Sequence, residues 1–291
     1  MQKDHNKIQR VFYPGDIWLY YKIYGGENVC DLILCKYILP LTRKLKQSKL
    51  IKQWFFIRYY DNDYHLRLRF QLLSKDSFQI VNNIVIQKIR PLCNARILHD
   101  IVICPYSREL ERYGYNCIEL TENIFCIDSK MISEIVGFIR NSNENYRWMI
   151  SMYAFDSFLN TLGKTIVDKY NFTKSISESY KSEFGYNQFN SKQLNSVYRK
   201  YRSQIAKIID DEVDSEIWVK LKSYVDKRNT KIIKSINNTD LKNDLNISAI
   251  IHMSINRLFP TKNRLYEMVI YDFLSREYKS TIVKLKINQK S

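Results

Sequence analysis

The chain has 291 residues, 45% of them hydrophobic, with only 7 glycines and 5 prolines. That length suffices for one large domain or two small ones, and the composition argues against long irregular tracts. Lys and Arg outnumber Asp and Glu by 46 to 30, a net charge of +16, which fits either an acidic partner or a drift of composition toward Lys, Asn and Ile, and speaks to association, not to fold.

No apolar run approaches the length that crosses a bilayer, and the N-terminal MQKDHNKIQR lacks the apolar core of a signal peptide. The expectation is a soluble, cytoplasmic protein. The six cysteines form no C-x-x-C pair, and His5, His65, His99 and His252 do not cluster near them, so zinc spacing is absent and buried reduced thiols are expected.

In chain order, DIWLYYKIYG (16–25) reads as an aromatic-rich strand. A helix is expected from about 29 to 50, interrupted or kinked near Pro40. WFFIRYY (54–60), DND (61–63) and YHLRLRF (64–70) read as strand, turn and strand. In the second of these strands, period-two alternation puts Leu66, Leu68 and Phe70 on one face and His65, Arg67 and Arg69 on the other. A solvated polar face would be ordinary, but two adjacent guanidiniums repel unless water or an anion lies between them.

Phe78, Val81, Val85 and Ile89 keep helical spacing, and RILHDIVIC (96–104) reads as a further strand. Beyond it four apolar stripes at helical spacing predict core-facing helices: Ile132 to Ile139, Trp148 to Leu159, Val197 to Ile208, and Ile217 to Val225. NSNEN (141–145) and the polar stretch 171–192 are expected to separate helices. The fold class is therefore α+β, an antiparallel sheet with packed helices and a mainly helical C-terminal half, with no clean domain boundary.

Two further stretches carry possible chemistry. In YSRELERYG (106–114), a helix over 107–113 would be capped by Ser107, with Glu109 and Arg112 three apart on one face. In IIHMSINRLF (250–259), His252 and Asn256 are four apart, with Arg257 adjacent. Arg67, Arg69, Glu109, Arg112 and His252 together would suit binding a carboxylate while stabilising negative charge beside it. No P-loop, no dinucleotide-binding turn and no nucleophile elbow occurs.

WFFIRYYDNDYHLRLRF resembles the signature of the C-terminal, glutamate-elimination domain of class I lanthipeptide dehydratases, also called the thiopeptide-type bacteriocin biosynthesis domain. WLYYKIY (18–24), YSRELERYG, TENIFCIDS (121–129) and HMSINRLF (252–259) resemble the same family in matching order. The resemblance covers nearly the whole chain and implies a single domain over 1–291. It implies β-elimination of glutamate from glutamylated Ser or Thr of a leader-bearing precursor peptide, leaving dehydroalanine or dehydrobutyrine, without cofactor or metal. It places the functional arginine pair on Arg67 and Arg69, the Glu and Arg on Glu109 and Arg112, and the catalytic histidine on His252. His65, Arg58, Arg108, Asn256 and Arg257 are expected to line the substrate site. Because the chain lacks the large glutamylation region of full-length dehydratases, a separate glutamylating subunit is the expected partner. No direct contact with nucleic acid is expected, and homo-oligomerisation is left open. The alternatives are a thiopeptide pyridine synthase, catalysing a formal [4+2] cycloaddition between two dehydroalanines, and a catalytically idle peptide-binding module.

Overall fold

The computed structural model of the chain describes residues 8–140 and 145–288. They group into two compact units, 8–140 with Lys234–Thr261, and 145–233 with 262–288.

The first unit opens with the short strand β1 (Val11–Phe12) and then β2 (Trp18–Tyr24). A continuous helical stretch follows: α1 (Glu27–Ile33), a π-turn over Leu34–Ile38, and α2 (Leu39–Gln47). The interruption expected near Pro40 is this π-turn, which ends at Ile38, two residues before Pro40 in the first turn of α2. Next come β3 (Ile51–Tyr60), β4 (Tyr64–Leu72), α3 (Ser77–Asn94), β5 (Asp100–Cys104) and β6 (Tyr106–Ser107). The unit continues with α4 (Leu110–Tyr113) and α5 (Ile118–Ile139). The expected strand over 96–104 thus starts only at Asp100, and Ser107 pairs in β6 with Val11 instead of capping a helix; Glu109 holds the N-cap position of α4. Gly114 ends α4 at φ +80°, where any side chain would be strained.

The sheet order is β3-β4-β2-β5, with every neighbouring pair antiparallel. With helices between β2 and β3 and between β4 and β5, this is the β-α-β-β-α-β, split-βαβ topology. Leu66, Leu68 and Phe70 of β4 lie on one face with Leu19, Tyr21 and Ile23 of β2, all fully buried. Tyr21 hydroxyl donates to Asn82 of α3 at 2.7 Å, and α3 turns Val81, Val85 and Ile89 inward. Both helical connections serve this face. The arginines belong to the other one.

The second unit is helical: α6 (Asn145–Thr161), α7 (Ile166–Glu183), α8 (Gln188–Ile209) and α9 (Glu216–Asn237), whose last turn counts with the first unit. Of the NSNEN loop, 141–144 lie outside the described residues, and Asn145 already begins α6. Most of 171–192, expected as a separator, is helix: a Thr165/Asp168 capping box starts α7, and its buried side is built from Lys169, Thr173, Ser177 and Tyr180, which no hydropathy pattern reveals. Lys169 lies 2.7 Å from the Asp156 carboxylate, which also accepts from Tyr278 hydroxyl at 2.7 Å. Among the expected stripes, Ile205, Ile208, Leu221 and Val225 are buried, whereas Val197 is exposed. The chain returns to the first unit with α10 (Ile247–Leu258) and closes the second with α11 (Asn263–Asn288). No described helix is long and apolar enough to cross a membrane.

Candidate active site

Register places Tyr20, Lys22 and Tyr24 of β2 beside Arg69, Arg67 and His65 of β4, and Phe55, Ile57 and Tyr59 of β3 on their other side. One end of this face is roofed. Tyr106 of β6 stacks on Phe12 of β1 and meets Trp18 edge-on at 5.2 Å. Arg69 lies under that roof, 7% exposed, with its guanidinium carbon 4.3 Å from the Tyr20 ring centre, 4.9 Å from Tyr106 and 5.3 Å from Phe55. Its Nε and Nη1 have no hydrogen-bond partner. Three aromatic faces favour the cation, but they satisfy none of its donors.

The other end is more open. Arg67 lies flat on Tyr59, 3.4 Å from the ring centre, and its Nε donates to His65 Nε2 at 3.3 Å. His65 is fully buried, and burial pushes its pKa below the usual histidine value. Lys22 reaches away to Asp61 at 3.1 Å. Among the described residues neither Arg67 nor Arg69 is paired with a carboxylate.

Glu109 and Arg112 are exposed and form a loose pair at 3.4 Å. Asn246, the N-cap of α10, donates its amide to the Arg112 carbonyl at 3.0 Å and so ties α4 to α10. The buried Tyr113 phenol reports the gathering of charges. Burial pushes its pKa up to about 12, and Arg112, Glu109, Arg257 and Arg69 all act on it. These four expected site residues are therefore brought around one phenol. His252 lies on α10 between two anchors, by the helical rise about 9 Å beyond Asn246 and about 6 Å before Asn256 along the axis.

Other expected substrate residues hold the protein together. Arg58 is 2% exposed and points to the face opposite Arg67: Nη2 meets Asp31 at 2.5 Å, Nη1 meets Tyr64 hydroxyl and Nε meets the Arg257 carbonyl. Burial works against its charge, but Asp31 and Tyr64 outweigh it and hold its pKa above the usual arginine value. Arg108 makes a bidentate pair with buried Glu122 at 2.8 and 2.7 Å. Asn256 faces the edge of β3: its Oδ1 accepts from Arg58 N–H at 2.9 Å and its Nδ2 donates to Arg58 carbonyl at 3.0 Å. Arg257 Nε donates to Phe56 carbonyl at 2.8 Å, and Ser129 of α5 accepts from Phe56 N–H at 3.2 Å. Side chains of two helices thus seal a strand edge that would otherwise present bare backbone. Arg257 also pairs with Asp128 at 3.1 Å, yet its Nη2 is unpartnered, and burial lowers its pKa.

Sequence reasoning missed Tyr59, Tyr20, Tyr106 and Tyr113. The alternation of WLYYKIY could have placed Tyr20 on a face, but only the strand register puts it beside Arg69.

The comparisons agree with this architecture. Over 90% of the chain, covering 25% of that protein, it is 24% identical to the subtilin biosynthesis protein SpaB of Bacillus subtilis. It is 34% identical over 135 residues, 46% of the chain and 13% of that protein, to the nisin biosynthesis protein NisB of Lactococcus lactis subsp. lactis. The chain thus spans a quarter or less of these relatives. The tRNA-dependent lantibiotic dehydratase MibB from Microbispora sp. 107891 shares the fold at TM-score 0.72 and 17% identity, over 94% of this chain and 29% of that one. The pyridine synthase TbtD from thiomuracin biosynthesis matches at TM-score 0.61 and 12% identity, over 91% of this chain and 99% of that one. The family model described as lantibiotic biosynthesis dehydratase C-term matches residues 18–278, through both compact units, and the chain belongs to that family.

Proposed function

We propose that this chain carries out β-elimination of glutamate from glutamylated Ser and Thr residues of a leader-bearing precursor peptide, in the cytoplasm, after a separate subunit has attached the glutamate. The two compact units act in this reading as one domain over 1–291. The observation that carries it is the pair of arginines on the sheet face opposite α3, one of them buried with two donors unmade. A buried guanidinium without a partner is costly unless an anion completes it.

The reaction removes the Cα proton of the esterified residue and breaks its Cβ–O bond, so that a Cα=Cβ double bond forms and glutamate leaves as a carboxylate. Arg69 suits the glutamate side-chain carboxylate, which two guanidinium N–H groups can hold side by side. Arg67 and Arg112 suit the charge that grows on the departing carboxylate and on the amide oxygen next to Cα. His252, whose imidazole can either accept or donate a proton, is assigned to proton transfer.

Purified protein given a glutamylated peptide should release free glutamate and leave each modified residue lighter by one water than the original. Arg67→Lys and Arg69→Lys keep the charge but lose the planar fork, and both should accumulate the glutamylated peptide. Near-normal turnover in both would end this reading. A second reading, cycloaddition between two dehydroalanines, is favoured by the match over nearly the full length of TbtD. An untouched ester together with cyclisation of a bis-dehydroalanine peptide would select it.

A further inference from the structure

His65 is fully buried, clamped between the rings of Tyr24 at 4.6 Å and Tyr59 at 5.6 Å between centres. Its Nδ1 lies 3.1 Å from the Asp63 carbonyl, an acceptor only. Its Nε2 lies 3.3 Å from Arg67 Nε, a donor only. Those two neighbours admit one neutral tautomer: Nδ1 carries the proton and donates to Asp63, and Nε2 is bare and accepts from Arg67.

We propose that His65 is a positioning residue, whose bare Nε2 locks the Arg67 guanidinium flat on the Tyr59 ring and leaves both terminal nitrogens of Arg67 to the substrate's anion. The assignment rests on the elimination reading for what Arg67 does, but not for how Arg67 is held. A second proton on His65 would convert Nε2 to a donor, break the bond to Arg67 and set two cations against each other. The charged and titratable groups facing the ring can be named from each neighbouring element. In the β3–β4 turn, the Asp61 carboxylate lies 3.7 Å from Nδ1 and favours the proton, while the Asp63 carboxylate is bonded to His99 at 2.9 Å. Arg67 on β4 and Lys22 on β2 oppose it, and the rings of Tyr24 and Tyr59 flank it. Burial opposes protonation most strongly. Elimination should therefore fall as pH drops through the His65 pKa, which lies below the ordinary 6.5.

The experiment uses the full chain and two variants. His65→Gln keeps an acceptor near the place of Nε2; His65→Leu keeps apolar volume without one. Ring-nitrogen NMR should show His65 protonated at Nδ1 alone at pH 7. The Arg67 Nε–H should be protected from exchange in the wild type and in H65Q, and exposed in H65L. In elimination assays H65L should lose about 10- to 100-fold in kcat/KM, the scale of a small misplacement of a binding group, with H65Q within about threefold of wild type. The acid limb assigned to His65 should vanish in both variants. A proton on Nε2 at pH 7, or an H65L variant with wild-type kcat/KM and acid limb, would overturn the assignment. A wild-type chain that releases no glutamate, yet shows this tautomer and a protected Arg67 Nε–H lost in H65L, supports the positioning and refutes only the elimination reading.

Discussion

Asn256→Ala tests whether this side chain seals the sheet or touches substrate. The amide makes two bonds to one residue of β3, 2.9 Å from Arg58 N–H and 3.0 Å from Arg58 carbonyl. A neutral hydrogen bond contributes about 0.5–1.5 kcal/mol net, and a buried group left unmade costs about 1–3 kcal/mol. Asn256 is half-buried, so water partly replaces the lost partner. The loss should be about 2–3 kcal/mol in all. The most local readout is exchange of the Arg58 amide, where that loss appears as roughly 30- to 150-fold weaker protection, at about 1.4 kcal/mol per factor of ten. Asn256→Asp keeps an acceptor for the Arg58 N–H but turns an oxygen toward the Arg58 carbonyl, and should destabilise at least as much. The reasoning is refuted if the alanine variant keeps its Arg58 protection and thermal midpoint while glutamate release stops.

Arg69→Met should leave the thermal midpoint unchanged or raised, because a buried cation with two unmade donors is replaced by an apolar chain among three rings, while glutamate release is lost; a large drop in midpoint would make Arg69 structural. Asp31→Ala should cost about 3–5 kcal/mol in urea unfolding, since it strands the Arg58 guanidinium; a loss under about 1 kcal/mol would show that Tyr64 and the Arg257 carbonyl suffice. His252→Ala should slow elimination about a hundredfold or more with the midpoint held, and a parallel fall in both would show a packing role.

The fold was legible where hydropathy alternates cleanly. YHLRLRF and WFFIRYY are the two central hairpin strands, and the stripe through Val81, Val85 and Ile89 is the inner side of α3. It was illegible where polar residues fill the core: α7 buries Lys169, which reaches Asp156, Thr173, which bonds the Lys169 carbonyl one turn back, and Ser177, whose hydroxyl has no partner. The site divided in the same way. The arginine face followed from period two alone. Which arginines are free to meet a ligand did not, because Arg58, Arg108 and Arg257 look like Arg67 in sequence and differ only in having Asp31, Glu122 and Asp128 within reach.

The sealed edge of β3 also dictates an order of events during synthesis. The partners of Phe56 and Arg58 on α10 lie 198 to 201 residues downstream. At about 5–20 residues per second, roughly 10–40 s of translation separate the strand from its cover. Through that interval Ser129 of α5, 73 residues downstream, can cover only the Phe56 N–H, and the Phe56 carbonyl and both backbone groups of Arg58 stay open to strands of neighbouring nascent chains, beside Trp54 and Phe55. The helices of the second unit emerge within the same interval, so their rate of translation sets how long the hairpin is at risk. Chains truncated before residue 247 should aggregate through this segment, and α10 supplied as a separate peptide should suppress it.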